Sequence, residues 1–145
     1  MATDTLTKPQ IRYEDDAYAW AVEQTALLQA RRLDELDVDD LVRALEDLAD
    51  SMRKSVCAHT ITITVHLLKL QHSPPTYPRG GWRHTIRLQR VHLSLELTRS
   101  LRRELANELG RLYRLARGVA EGDLRDHGEH AAADALPAAC PYTLE

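Results

Sequence analysis

A run of breakers, Ser73-Pro74-Pro75-Thr76-Tyr77-Pro78-Arg79-Gly80-Gly81, divides two stretches, 55–72 and 82–105, that contain neither proline nor glycine. Three prolines lack an amide donor and fix φ, and two glycines tolerate positive φ, so the chain must reverse here. The segments that it joins are the main question of fold. Thr60-Ile61-Thr62-Ile63-Thr64-Val65 before the turn and Val91-His92-Leu93-Ser94-Leu95 after it alternate apolar with polar residues, which is the pattern of strands. The same residues also fit helices. Ala58, Ile61, Val65 and Leu68 form one stripe, widened by Leu67 and Leu70, and Trp82, Ile86, Leu93, Leu97, Leu101, Leu105 and Leu109 recur at three and four residues. The second pattern runs on to about Leu115, far beyond the length of a strand, typically about 5 to 6 residues. Length therefore favours helices, and a hairpin of strands is the competing reading.

From Val38 the positions Leu41, Leu45, Leu48, Met52, Val56, Ile63, Leu67 and Leu70 hold helical phase with no breaker, which predicts one helix over 38–70, about 50 Å long at 1.5 Å per residue. Asp37 is placed as its N-cap, with Asp39 and Asp40 in the first turn. A partner helix is expected over 82–117. An earlier helix is expected over 14–31, with Tyr13, Ala17, Trp20, Ala21, Gln24, Leu27 and Leu28 as its apolar face and Glu14, Asp15 and Asp16 in its first turn. Tyr13 and Trp20 on such a stripe read as core. Beyond Gly118, the residues Gly122, Gly128 and Pro137 argue against another long helix, and a short one over 130–136 fits best. The expected fold is all-α: a long antiparallel helical hairpin with the N-terminal helix packed on it, like a three-helix bundle, and a short, partly irregular C-terminal segment. The expected divisions are a flexible N-terminus over 1–12, a helical bundle over 13–122 and a tail over 123–145.

The 145 residues suffice for one domain with its own core. Two cysteines, Cys57 and Cys140, form no CxxC, so neither a zinc ribbon nor a disulfide framework is indicated, and reduced thiols in a cytoplasm fit. No signal-peptide core and no apolar run of membrane-spanning length occurs, so no membrane association is expected. Net charge is −3, but residues 1–50 carry 13 acids against 5 bases, whereas residues 79–117 carry ten arginines against three glutamates. Either acidic and basic helices neutralise each other within the bundle or the arginines form an exposed basic face.

Six segments in this order, YEDDAYAW, LDELDVDDL, LEDL, HLLKLQ, GWRHTIRLQR and LPAACPYTLE, resemble the bacterial family called domain of unknown function 29, over about 13–145. The resemblance implies a helical fold and supplies no activity. Leu70 stands where the family tends to have Trp, Leu88 where it tends to have Glu, and Ala44 and Ala49 where Glu and Gly are usual. A catalytic role built on such acids is correspondingly weaker here.

The constellation singled out for binding lies at the turn end of the hairpin: His66, Lys69 and Gln71 before the loop, and Trp82, Arg83, Thr85, Gln89 and Arg90 after it. Its forked and compact cations suit a phosphate or carboxylate, while a purely structural role has Trp82 plugging the bundle end and the polar groups bonding loop carbonyls. The acids between Asp34 and Asp40 lack the spacing and glycine of a calcium loop. His127 with His130, and His59 with His66, have metal-ligand spacing, but Gly128 interrupts the first pair and no carboxylate accompanies the second. With no GxSxG elbow, phosphate-binding loop or Cys/His pair, no catalytic residue, metal or cofactor is expected, and Cys57 reads as core. The expected role is a protein–protein interaction module, with a protein partner or itself as a homodimer. Nucleic-acid binding through the arginines of 79–117 is the alternative.

Overall fold

In the computed structural model, residues 11–74 and 79–144 are described. Residues 1–10 of the expected flexible N-terminus and residues 75–78 of the turn lie outside them. The elements are α1 (Ala17–Gln29), a 3-10 turn (Leu33–Glu35), α2 (Val38–His72), α3 (Arg79–Glu96), α4 (Arg99–Asp126) and α5 (His130–Asp134). The protein is all-α, with no strand among the described residues. The alternating threonines do not make a strand, because each hydroxyl donates to the carbonyl one turn back: Thr60 to Val56 at 2.8 Å, Thr62 to Ala58 at 3.0 Å and Thr64 to Thr60 at 2.8 Å. A hydroxyl satisfied within its own helix can be buried without loss. The buried face of α2 is accordingly Val56, Cys57, Thr60, Ile63, Thr64, Val65 and Leu68, turned from the expected stripe so that Ala58 is exposed.

The chain forms two compact units, Met1–Ala49 and Asp50–Glu145. In the first, α1 starts at Ala17 instead of residue 14, because the Asp16 carboxylate accepts from the Ala19 amide at 2.9 Å and acts as N-cap. The expected cap at Asp37 is present, its Oδ1 accepting from the Asp40 amide at 3.2 Å. The same residue ties α1 down: Trp20 Nε1 donates to Asp37 Oδ2 at 3.3 Å, and the Asp37 amide donates to Gln24 Oε1 at 2.8 Å. Trp20 and Gln24 are buried, and Tyr13 meets Trp20 edge-on at 4.8 Å while its hydroxyl donates to Asp47. The rest of the expected face is not a core: Ala17, Ala21 and Leu28 are exposed, since α1 is held through this one narrow edge. α1 ends with Arg31 at φ 59°, and the Arg32 amide reaches the Leu27 carbonyl at 3.0 Å. That is the left-handed position at which glycine is usual.

In the second unit, Val65 and Leu68 of α2 pack with Tyr113, Ala116, Ala120 and Leu124 of α4, and with Ala133 and Leu136 beyond it. Ala116 and Ala120 are wholly buried, and such small side chains let helices approach closely. Full burial of a side chain such as Leu68 stabilises by about 1.5–3 kcal/mol. A second cluster joins Cys57 to Leu105 and Leu112, with Leu93, Leu97 and Leu144 against it. Cys57 and Cys140 are both free thiols, the first buried.

The single helix expected over 82–117 is two. Thr98, extended at ψ 169°, caps α4 by accepting from the Leu101 amide at 3.2 Å. Leucines at strict four-residue spacing, 93 to 109, drift about 40° per step around a helix of 3.6 residues per turn, and the break resets their direction. α4 also runs on through Gly118 and Gly122 to Asp126. Each glycine costs about 1 kcal/mol in a helix, which the burial of Ala116, Ala120 and Leu124 offsets. The helix stops at Gly128, φ 77°, where the Glu129 amide bonds the Leu124 carbonyl at 2.8 Å. α5, at His130–Asp134, is slightly shorter than expected.

Replacing Arg31→Gly removes the penalty of a left-handed Cβ and is expected to stabilise the protein by about 0.5–1 kcal/mol, measured by urea denaturation. Thr98→Ala is expected to cost about 1 kcal/mol in the same assay, with helix content by circular dichroism nearly unchanged.

Candidate functional site

The constellation expected at the turn end is distributed over three settings. Lys69, largely buried, pairs its ammonium with Asp123 Oδ2 at 2.8 Å and stands 5.0 Å from the centroid of the Trp82 ring. Its charge is thus matched from α4, by a residue too distant in sequence for spacing to reveal. His66 Nδ1 donates to the Thr62 carbonyl at 2.8 Å, and Thr85 donates to the Gly81 carbonyl at 3.1 Å. Gln71 Oε1 accepts from the Tyr142 hydroxyl at 2.7 Å. Arg83 and Arg90 are exposed, and Arg79 donates to the Leu70 and Ser73 carbonyls.

Gln89 belongs instead to a polar network joining α2 and α3. Its Oε1 lies 2.5 Å from His59 Nδ1, while His59 Nε2 faces Glu96 Oε1 at 3.4 Å. Ser55 donates to the other carboxylate oxygen of Glu96 at 2.5 Å, and the His92 ring stands 5.4 Å from that of His59. The Ser55 hydroxyl, and then burial against it and His59 beside it, set the balance that holds the Glu96 carboxyl below its ordinary range. This is not a nucleophile–base–acid relay, because Ser55 and Glu96 address the same side of the imidazole. Ser55, His59 and Glu96 follow no motif, and only the four-residue spacings 55–59 and 92–96 hint at shared faces. Among the described residues, no group of three or more His, Cys, Asp or Glu side chains is placed to hold a metal ion.

Next along α2 and α3, the second unit encloses a partly open cavity of about 650 Å³. α2 contributes Thr60, Ile63, Thr64 and Leu67, and α3 contributes Arg90, Leu93, Ser94 and Leu97. Arg102 and Leu109 of α4 and the segment from Pro141 to Leu144 complete it. That segment is irregular, as expected, but firmly held. Tyr113 donates its hydroxyl to the Pro137 carbonyl at 2.5 Å, joined there by Arg117 Nε at 3.0 Å, and Arg102 donates to the Leu144 carbonyl at 3.3 Å. Burial, with the Tyr113 ring close by, pushes the Tyr142 phenol up to about 12.

These features define an all-α protein whose second unit is a helical bundle closed by a strapped C-terminal segment over a basic-rimmed cavity of mixed aliphatic and polar lining. More particularly, the chain belongs to the family described as Domain of unknown function DUF29, whose model matches residues 12–145. No curated protein and no solved structure matches it. No helix among the described residues is long and apolar enough to cross a membrane.

The Tyr142 phenol ionises at about 12 in the fold against an ordinary 10.0, so folding favours its protonated form. Its contribution to stability is complete below the ordinary value and is lost as pH rises through about 12. Thermal melts over this alkaline range are expected to fall more steeply for the unaltered protein than for Tyr142→Phe, which starts less stable by the lost Gln71 bond.

Proposed function

We propose that the protein is a non-enzymatic interaction module whose partner is a second copy of the same chain. The observation that carries this reading is a pair of apolar helix faces left in solvent and bordered by opposite charge. In the first unit, Val38, Val42, Leu45 and Leu48 recur at helical spacing along α2 and are 50–65 % exposed. Asp39 and Glu46 stand beside them with no basic partner among the described residues. In the second unit, Leu88, Val91 and Leu95 of α3 are 43–79 % exposed, on the side of the helix away from Ile86 and Leu93. Arg83 and Arg87 flank them, also without a carboxylate partner among the described residues. A lone exposed leucine is ordinary, whereas a contiguous stripe of them on one helix face marks a surface that binds.

Matching charge borders fix which stripe meets which: the acidic α2 face of one copy against the basic α3 face of the other, the contact being made twice in a two-fold pair. The free thiols of Cys57 and Cys140 are in keeping with a cytoplasmic setting. The exposed arginines of α3 and α4 also support the alternative, a nucleic-acid surface, but the aliphatic stripe of α3 offers nothing to phosphates.

Light scattering at low salt is expected to give a dimer, shifting toward monomer as salt screens the charge borders. Leu95→Glu is expected to abolish the dimer at any salt, and Arg87→Glu to weaken it, with partial rescue by Glu46→Arg. A monomer at low salt rejects the reading. Fluorescence anisotropy with labelled single- and double-stranded nucleic acid tests the alternative, for which binding falls steeply with salt.

A further inference from the structure

We propose that the cavity of the second unit is a binding site for a medium-chain aliphatic carboxylate. The inference stands apart from self-association, since it uses the bundle-facing side of α3 and not the exposed stripe on the opposite side.

Size comes first. At about 650 Å³ the cavity falls within the range of small-molecule sites, roughly 300–1,000 Å³. Six of its fourteen lining residues are branched aliphatic: Ile63, Leu67, Leu93, Leu97, Leu109 and Leu144. One aromatic side chain, Tyr142, is among the lining residues, and its hydroxyl is spent on Gln71. Such walls suit a flexible hydrocarbon chain better than a flat ring, which gains most from stacking. On α2 and α3 the lining hydroxyls make no demand for a polar guest, because the protons of Thr60, Thr64 and Ser94 go to carbonyls of their own helices.

Charge then selects the head group. Arg90 and Arg102 belong to the lining, and no carboxylate among the described residues does. Arg102 donates to the Leu144 carbonyl, whereas Arg90 has no hydrogen bond or ion pair among the described residues. An unpaired guanidinium beside an aliphatic cavity presents a planar fork that matches a carboxylate and repels a cation. The guest has its chain among the leucines and its carboxylate on Arg90, with Arg102 close enough in the lining to add positive field.

Isothermal titration of the full chain with sodium decanoate, kept below its aggregation concentration, tests this, with decanol and decyltrimethylammonium as neutral and cationic counterparts. Saturable one-to-one binding is expected for decanoate, at least about tenfold tighter than for either counterpart, the usual worth of a charge-assisted hydrogen bond. Arg90→Glu, at an exposed position, is expected to weaken decanoate by about tenfold or more while circular dichroism stays unchanged. Leu97→Trp, which fills the cavity, is expected to weaken all guests. Absence of decanoate binding, equal binding of the three amphiphiles, or decanoate binding unaltered by Arg90→Glu would overturn the proposal.

Discussion

Everything in the second unit depends on one local exchange of hydrogen bonds, that of the threonine hydroxyls with the α2 backbone. Without it, Thr60 and Thr64 would carry unsatisfied hydroxyls into the bundle, at a cost of about 1–3 kcal/mol each. With it, they present methyl groups and β-branched bulk, and α2 stays helical through a stretch whose composition favours strands. The consequence is a helical stretch on which Cys57, Val65 and Leu68 address the two core clusters, while Thr60, Ile63, Thr64 and Leu67 line the cavity.

Helical phase made most of this architecture legible. The Asp37 cap, the uninterrupted α2 and the core placement of Trp20 and Cys57 follow from rules that act over one or two turns. What escaped was where phase is lost. Leucines at four-residue intervals look continuous on paper but wind around the rod, and the chain resolves the drift by letting Thr98 start a new helix. Gly118 and Gly122 look like stops, yet tertiary burial on either side outweighs their propensity. Conversely, Leu45 and Leu48 keep perfect phase and remain in solvent, because amphipathic spacing marks a face without supplying what covers it.

The candidate site was less legible, for a different reason. Sequence spacing can collect side chains on one helix, and it placed Lys69 near Trp82 correctly by the antiparallel turn. It could not foresee that Asp123 neutralises Lys69, that Tyr142 takes Gln71, or that Gln89 turns to His59. Each of these partners lies 30 or more residues away. The cavity was equally hidden, since one of its walls is an irregular segment with no periodicity to read.

That irregular wall has a consequence for the order in which the molecule is made. The Tyr142–Gln71 bond closes a loop of 71 residues, and the Leu144 and Pro137 carbonyls find donors only on α4. None of these anchors exists until α2 and α4 have packed, so the segment docks as a late event in folding, after the costly loop closures have been made by the helices. The helices can therefore pack while the cavity still lacks a side, and the enclosed space is a property that the protein acquires only when this segment docks.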